Sequence, residues 1–327
     1  MIALQDIVTA AEKIAPHSVY TPLLESDLLN QQLGGRVLFK AECLQRTGAF
    51  KIRGALNKLL SLSEAEKAKG IIAYSSGNHA QAVALASQLL NIDAKIIIPE
   101  DAPKLKINNT RAYGAEVILY NRYTESREQL AQDVADQEGR VLVPPYNDID
   151  VITGQATVGL EISQQLDTLG IQADALLCPC GGGGLMAGLS SAIRFHSKEM
   201  AIYSVEPEGF DDTKRSLESG EILSIDPEQR SICDSIVTPC PGTLTFPINQ
   251  KNLTGGLVVT DTAVKQALKV AYTQLKLTVE PGASVGLAAL LSGEFDATNK
   301  TVVVVLSGGN IDIEDFHRII HDTADES

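Results

Sequence analysis

Eight short runs rich in β-branched and aliphatic residues punctuate the chain, at 36–40, 71–74, 94–98, 117–120, 140–143, 175–179, 201–205 and 301–306. Several are apolar at every position. Such runs predict strands buried on both faces of a parallel sheet, because a half-exposed strand would alternate apolar and polar residues. Helical patterns lie between them. After the run at 71–74, Ala80, Val83, Ala84 and Leu85 form an apolar stripe that predicts a helix starting at His79. A second helix is predicted from about Leu185 to Phe195. Strands alternating with crossover helices define an α/β fold. The four runs between 71 and 143 suffice for a small domain, residues 67–145, inserted into a large one built from residues 1–66 and 146–327.

Three predicted strands end in polar or glycine-rich loops. Ser75-Ser76-Gly77-Asn78 follows the run at 71–74, Gly181-Gly182-Gly183-Gly184 the run at 175–179, and Ser307-Gly308-Gly309-Asn310 the run at 301–306. Ligands of open α/β sheets bind beyond the carboxyl ends of the strands, so the three loops are expected to meet at one crevice.

Composition narrows the partners. At 327 residues, 44% hydrophobic and 21% charged, the chain has ordinary globular usage, which excludes a disordered or fibrous protein. A formal charge of −14, with no dense cluster of Lys and Arg, opposes binding to nucleic acid or to an anionic membrane surface. No apolar stretch approaches the ~20 residues that span a bilayer. Met1-Ile2-Ala3-Leu4-Gln5-Asp6 has neither the basic start nor the apolar run of an export signal, so the cytoplasm is the expected location. The five cysteines form no CxxC pair and are expected to be reduced thiols.

Four successive glycines between an apolar strand and an apolar helix leave backbone N–H groups unobstructed beside a helix N-terminus, which suits a phosphate. The pattern lacks GxxxxGK[ST], and no acidic residue stands where a nucleotide's ribose would need one, which argues against a nucleoside triphosphatase and a nicotinamide-dependent oxidoreductase. Lys51, within Gln45-Arg46-Thr47-Gly48-Ala49-Phe50-Lys51-Ile52-Arg53-Gly54-Ala55, follows turn residues at a helix start. Desolvation would lower its pKa and make it a nucleophilic amine.

Taken in order, Phe50-Lys51-Ile52-Arg53-Gly54-Ala55, Ser75-Ser76-Gly77-Asn78-His79-Ala80-Gln81, Gly181-Gly182-Gly183-Gly184-Leu185 and Leu306-Ser307-Gly308-Gly309-Asn310 strongly resemble the serine/threonine dehydratase and serine racemase family of fold-type II pyridoxal-phosphate enzymes. The resemblance extends from about Thr21 to Asn310. It implies a tryptophan synthase β-like fold, with two open, twisted, mostly parallel sheets carrying helices on both faces. It also implies a Schiff base at Lys51, Phe50 against the cofactor ring, Asn78 bonding the ring 3′-oxygen, Ser307 facing the pyridine nitrogen, and phosphate held by Gly181, Gly182, Gly183, Gly184 and the helix beginning near Leu185. Ser307 is a neutral hydroxyl, so it holds the pyridine nitrogen less protonated than a carboxylate would and favours β-elimination over longer-lived carbanion chemistry.

The implied reaction converts L-serine or L-threonine to a 2-oxo acid and ammonia, with Lys51 as base. Substrate carboxylate would lie on the loop formed by Ser75, Ser76, Gly77, Asn78 and His79. Ser76 would be a second acid/base on the face opposite Lys51, as serine racemisation requires. The same loop also resembles that of hydroxyaspartate dehydratases, and Arg127 matches a position that can meet a substrate carboxylate or a domain-closing one, which would suit a hydroxyaspartate. Val205-Glu206-Pro207-Glu208-Gly209-Phe210-Asp211-Asp212 resembles a divalent-cation loop, with Glu206, the Phe210 carbonyl and Asp212 as ligands for Mg²⁺ or Ca²⁺. A homodimer is implied as well. Gly154-Gln155-Ala156-Thr157 and the segment from Cys233 to Gly242 depart from the family's patterns, which leaves open the choice among serine, threonine and L-threo-3-hydroxyaspartate. The chain ends soon after Asn310, so feedback through an appended regulatory domain is not expected. Two rivals stay in view: the cysteine-synthase or threonine-synthase branch of the same fold, and a cofactor- or amino-acid-binding protein without turnover.

Overall fold

The computed structural model describes residues 2–75, 77–102 and 104–321. Among them the strands are β1 (Leu23–Glu25), β2 (Arg36–Ala41), β3 (Ile71–Tyr74), β4 (Ala94–Pro99), β5 (Glu116–Tyr120), β6 (Val141–Leu142), β7 (Ala175–Pro179), β8 (Ala201–Pro207), β9 (Gly255–Val259) and β10 (Thr301–Leu306). They form a six-stranded sheet in the order β1-β2-β10-β7-β8-β9 and a four-stranded sheet in the order β5-β4-β3-β6. Pairing is parallel except between β1 and β2. This is the mixed α/β architecture with two mostly parallel sheets that the apolar runs predict.

Strand β10 shows why its run is apolar at every position. Val302, Val304 and Leu306 pack with Leu287 and Ala288 of the helix Val285–Leu291 on one face. Val303 and Val305 pack with Val158, Ile162, Leu189 and Ile193 on the other. The first two of these come from the helix Ile149–Leu169 and the last two from the helix Gly184–His196. Each fully buried aliphatic side chain contributes about 1.5–3 kcal/mol relative to exposure, and a strand covered on both sides gains this at every residue.

Two strands have no predicted counterpart. β1 has three residues, none of them buried, and lies at one edge of its sheet. β9 opens with Gly255-Gly256 and lies at the other edge, with only Val259 buried. Neither carries the continuous apolar run of a central strand. The predicted run at 140–143 shortens to Val141–Leu142, paired with β3.

The helix carrying Lys51, Lys51–Leu60, is anchored by a buried ionic cluster. Arg53 binds Glu42 at 2.8 Å and Glu161 at 2.6 Å, and Lys40 binds the same Glu161 at 2.6 Å. Arg53, Lys40 and Glu42 are fully buried. Two cations face two carboxylates, so each charge is matched, and loss of one partner from such a set costs about 3–5 kcal/mol. The cluster fixes the helix's first turn. Among the described residues no helix is long and apolar enough to cross a membrane.

Candidate active site

The carboxyl ends of β3, β7 and β10 open into one cavity of about 130 Å³, whose wall includes Lys51, Ser75, Gly77, Asn78, the glycines 181–184 and Ser307. The three loops predicted to converge do converge. An isolated bridge between Ala49 and Gly308 joins the Lys51 segment to the loop after β10. Phe50 N–H also donates to the Ser307 carbonyl at 3.1 Å. Thr47 and Gly48 both take positive φ, 61° and 68°, and Asn310 holds the turn through the Thr47 carbonyl at 2.6 Å.

Lys51 Nζ donates to the Pro145 carbonyl at 2.7 Å and lies 5.2 Å from the centre of the Phe50 ring. Burial lowers its pKa to about 8, against a smaller upward pull from Glu280. An ordinary lysine would be almost wholly protonated near neutrality, whereas this amine has a reactive unprotonated fraction. Reductive methylation of Lys51, followed by peptide mass spectrometry, is therefore expected to reach half its limiting rate near pH 8. A midpoint near that of an ordinary lysine would mean that the amine is solvated.

The glycine loop is held from behind. Thr245 Oγ1 donates to the Gly182 carbonyl at 2.7 Å, and Asn249 Nδ2 to the Gly183 carbonyl at 3.4 Å. With those carbonyls turned outward, the N–H groups of the same trans peptides, belonging to Gly183 and Gly184, point the opposite way. Gly183 has φ +86°, and a Cβ on Gly182 would come within 2.5 Å of the Tyr146 ring. Side chains are excluded here by conformation and by space. The loop can accept an anion at the N-terminus of the helix Gly184–His196. Leu185, at the start of that helix and nearly buried, lines the same cavity.

Asn78 is fixed at both ends of its amide. Its Nδ2 donates to Glu280 Oε1, and its Oδ1 accepts from Asn310 Nδ2 at 2.8 Å. Glu280 is buried, and burial pushes its carboxyl up to about 7 against the opposing pull of Lys106. His79 Nε2 lies 2.9 Å from the Val143 carbonyl, an acceptor, so Nε2 carries the proton and Nδ1 is left bare. Burial and nearby Lys51 lower its pKa to about 3. The ring is thus neutral and cannot donate from Nδ1 to a carboxylate; its backbone N–H can. Ser75 Oγ accepts from Gly77 N–H at 3.1 Å. Ser307 is nearly buried. Ser76 lies outside the described residues.

Arg127 opens the helix Arg127–Glu138 and lines the cavity. Its guanidinium stands 5.5 Å from the Tyr74 ring centre, and its Nε donates to Glu128 at 2.8 Å. A larger outer cleft of about 530 Å³ shares Lys106, Arg127, Asp234 and Val237 with the inner cavity. Glu280, which holds Asn78, and the wall residues Lys106 and Tyr146 are site residues that sequence reasoning missed, whereas Asp234 falls in the segment 233–242 already tied to substrate choice. Glu280 alone left a trace, as an isolated acid in the apolar stretch Leu277-Thr278-Val279-Glu280-Pro281.

The predicted cation loop lies elsewhere. Glu206 accepts from the N–H groups of Thr213 at 2.8 Å and Lys214 at 2.9 Å. Asp212 is fully buried, and neither of its carboxylate oxygens has a hydrogen-bond partner among the described residues. Burial raises Asp212 to about 7. Burial and the Asp212 charge raise Glu206 well above the carboxylate range. Phe210 is nearly buried beside them in sequence. Among the described residues no group of three or more His, Cys, Asp or Glu side chains gathers as a ready metal site.

A lysine of lowered pKa, an anion-binding glycine loop and a second helix N-terminus around one cavity define a site for a phosphorylated carbonyl cofactor. The chain belongs to the pyridoxal-phosphate dependent enzyme family, whose model matches residues 14–308. It is 42% identical over 315 residues to an L-threo-3-hydroxyaspartate ammonia-lyase of Saccharomyces cerevisiae, covering 96% of this chain and 95% of that one. It is 39% identical over 311 residues to a serine racemase of Schizosaccharomyces pombe, covering 95% of each. A solved maize serine racemase superposes with a TM-score of 0.91 at 37% identity, covering 96% of this chain and 95% of that one.

Proposed function

We propose that this chain is a pyridoxal-phosphate-dependent lyase that converts a hydroxy amino acid, L-serine or L-threonine, to a 2-oxo acid and ammonia, with serine racemisation at the same centre. The observation that carries the reading is Lys51, an amine with pKa lowered to about 8, in one cavity with the glycine loop and the start of the helix Asn78–Leu90. Lys51 would hold the cofactor's carbonyl end, Gly181 to Gly184 and Leu185 its phosphate end, Phe50 its ring, Asn78 its 3′-oxygen and Ser307 its pyridine nitrogen. The glycine cradle, which side chains would fill, supports that fit. Pyridoxal phosphate, when bound, supplies an electron sink that acidifies the α-carbon of an amino acid.

The chain's own groups then do the remaining work. Backbone N–H groups of Asn78 and His79, with the Ser75 hydroxyl that also holds the Gly77 N–H, bind and orient the substrate carboxylate. Lys51 Nζ removes the α-proton on one face, and Ser76 Oγ exchanges a proton on the other. The β-hydroxyl leaves as water, and hydrolysis returns that water, so serine is converted to pyruvate plus ammonia. A second reading, L-threo-3-hydroxyaspartate as substrate, is favoured by Arg127, which lines the cavity with its guanidinium beside Tyr74.

Mg²⁺ or Ca²⁺ between Glu206, the Phe210 carbonyl and Asp212 is part of the proposal. It would supply the partner that the buried Asp212 oxygens lack among the described residues. Without it, Asp212 binds a proton in the folded state that the unfolded chain has released, so stability falls as pH rises from about 4 to 7. Mg²⁺ is expected to flatten that slope and raise the melting temperature by about 3 °C or more over EDTA. Thermal scans of wild type and Asp212→Asn check this; an equal response of both to Mg²⁺ would remove the site. We also take residues 67–145, which carry the four-stranded sheet, as a small domain. A homodimer is proposed on the family resemblance.

The deciding experiment incubates the cofactor-loaded enzyme with L-serine, L-threonine and L-threo-3-hydroxyaspartate in turn, measuring 2-oxo acid and D-serine. Release of 2-oxo acid is the expected result, and D-serine formation should vanish in Ser76→Ala. A yellow protein that yields neither product from any of the three would defeat the reading in favour of binding without turnover. Activity on O-acetylserine plus sulfide alone would move the chain to the cysteine-synthase branch.

A further inference from the structure

Lys106 is a buried cation with no part in the chemistry assigned to Lys51 and Ser76. It stands on the helix Lys104–Ala112, its side chain is 5% exposed, and it lines both the inner cavity and the outer cleft. Its alkyl chain and Nζ lie directly behind Gly77, where an added Cβ would meet them at 3.4–3.7 Å. The lysine therefore backs the loop to which the substrate carboxylate is assigned. Two carboxylates face it: Asp234 at 2.9 Å and Glu280 at 3.9 Å. They are not equivalent. Glu280 is buried and committed to the Asn78 amide, whereas the Asp234 side chain is 51% exposed.

A desolvated cation needs a counter-charge at all times. An exposed carboxylate that reaches it from the crevice mouth can be exchanged for another anion at little cost, because water solvates it once released. The buried Nδ1 of His79 is a further polar atom on the same wall with no hydrogen-bond partner among the described residues. It is an acceptor, so it repels a carboxylate and leaves the positive pole of the wall to Lys106.

We infer that Lys106 is a substrate-binding residue that recognises the substrate's α-carboxylate from behind Gly77, with Asp234 as its exchangeable counter-ion in the free enzyme. The inference rests on reading the inner cavity as an amino-acid site. It differs from the assignment of Arg127, because every amino acid carries the α-carboxylate and only a dicarboxylate carries the second one. Lys106 thus governs affinity for all substrates, while Arg127 governs the choice between them. Burial lowers the Lys106 pKa and the two carboxylates more than restore it, so the cation persists at neutral pH.

The test uses the holoenzyme and follows the absorbance of bound pyridoxal phosphate during titration with L-serine and, separately, with 2-aminoethanol, which keeps the amine and hydroxyl but lacks the carboxylate. Lys106→Met is expected to weaken L-serine binding about tenfold or more, the usual scale for losing a charge-assisted partner. Binding of 2-aminoethanol should move by less than about twofold. Asp234→Asn is expected to tighten L-serine by about threefold, since the competing counter-ion is gone. Equal weakening of both probes in Lys106→Met would reduce the lysine to a structural role and overturn the inference. Weaker serine binding in Asp234→Asn would overturn the exchange. If the wild-type holoenzyme responds to neither probe, the amino-acid reading of the cavity falls, and the Lys106 assignment falls with it.

Discussion

Replacing Lys51 by alanine is expected to lower 2-oxo acid formation from L-serine by about 10³-fold or more, through loss of both the nucleophile and the base. The effect should be chemical, not structural. Lys51 donates its side-chain hydrogen bond to the Pro145 carbonyl, whereas its helix is held by Arg53 and its carboxylate partners. Circular dichroism and melting temperature should therefore stay close to wild type. Lys51→Arg is expected to fail equally, because a guanidinium keeps its proton at any working pH. Turnover by Lys51→Ala within about tenfold of wild type would show that another group removes the α-proton.

Arg127→Met should lower kcat/KM for L-threo-3-hydroxyaspartate by about 100-fold, the scale on which a partly desolvated charge pair is lost. L-serine and L-threonine, which offer no second carboxylate, should change by less than about threefold. The contrast matters because Arg127 already has a partner in Glu128, whose side chain is 56% exposed, so a substrate must displace that carboxylate to engage the guanidinium. Steady-state kinetics on the three substrates decide between the readings. An equal loss on all three would make Arg127 part of the cavity wall and return the preference to serine and threonine.

The central strands were legible because both their faces are buried, which forces apolar residues at every position, as in Val302 to Leu306. β1 and β9 were not, since an edge strand with half-exposed residues needs no such run. Loops 75–79, 181–184 and 307–310 were legible for a related reason. A backbone that approaches a ligand closely must drop its side chains, and that leaves glycine and serine in the sequence. The wall residues followed no local rule. Lys106 and Asp234 lie 128 positions apart and meet only through tertiary packing. Asn78 and Glu280 are 202 positions apart. Tyr146 was invisible because an aromatic ring covering a glycine loop leaves the same trace as one in a core. The cation loop was read by resemblance, and the buried, unpartnered oxygens of Asp212 now give it a physical motive.

Residues 143–146, just after β6, bear on whether this chemistry can be transplanted. The Val143 carbonyl sets the tautomer of His79, the Pro145 carbonyl holds Lys51, and the Tyr146 ring covers Gly182. One short segment thus touches the lysine, the substrate loop and the glycine cradle, and Pro144 and Pro145 limit how its backbone can bend. Anyone moving this chemistry into another scaffold of the same architecture would have to carry residues 143–146 together with the lysine. Exchanged alone, the lysine would lose its hydrogen-bond acceptor, and the imidazole would be free to take the other tautomer.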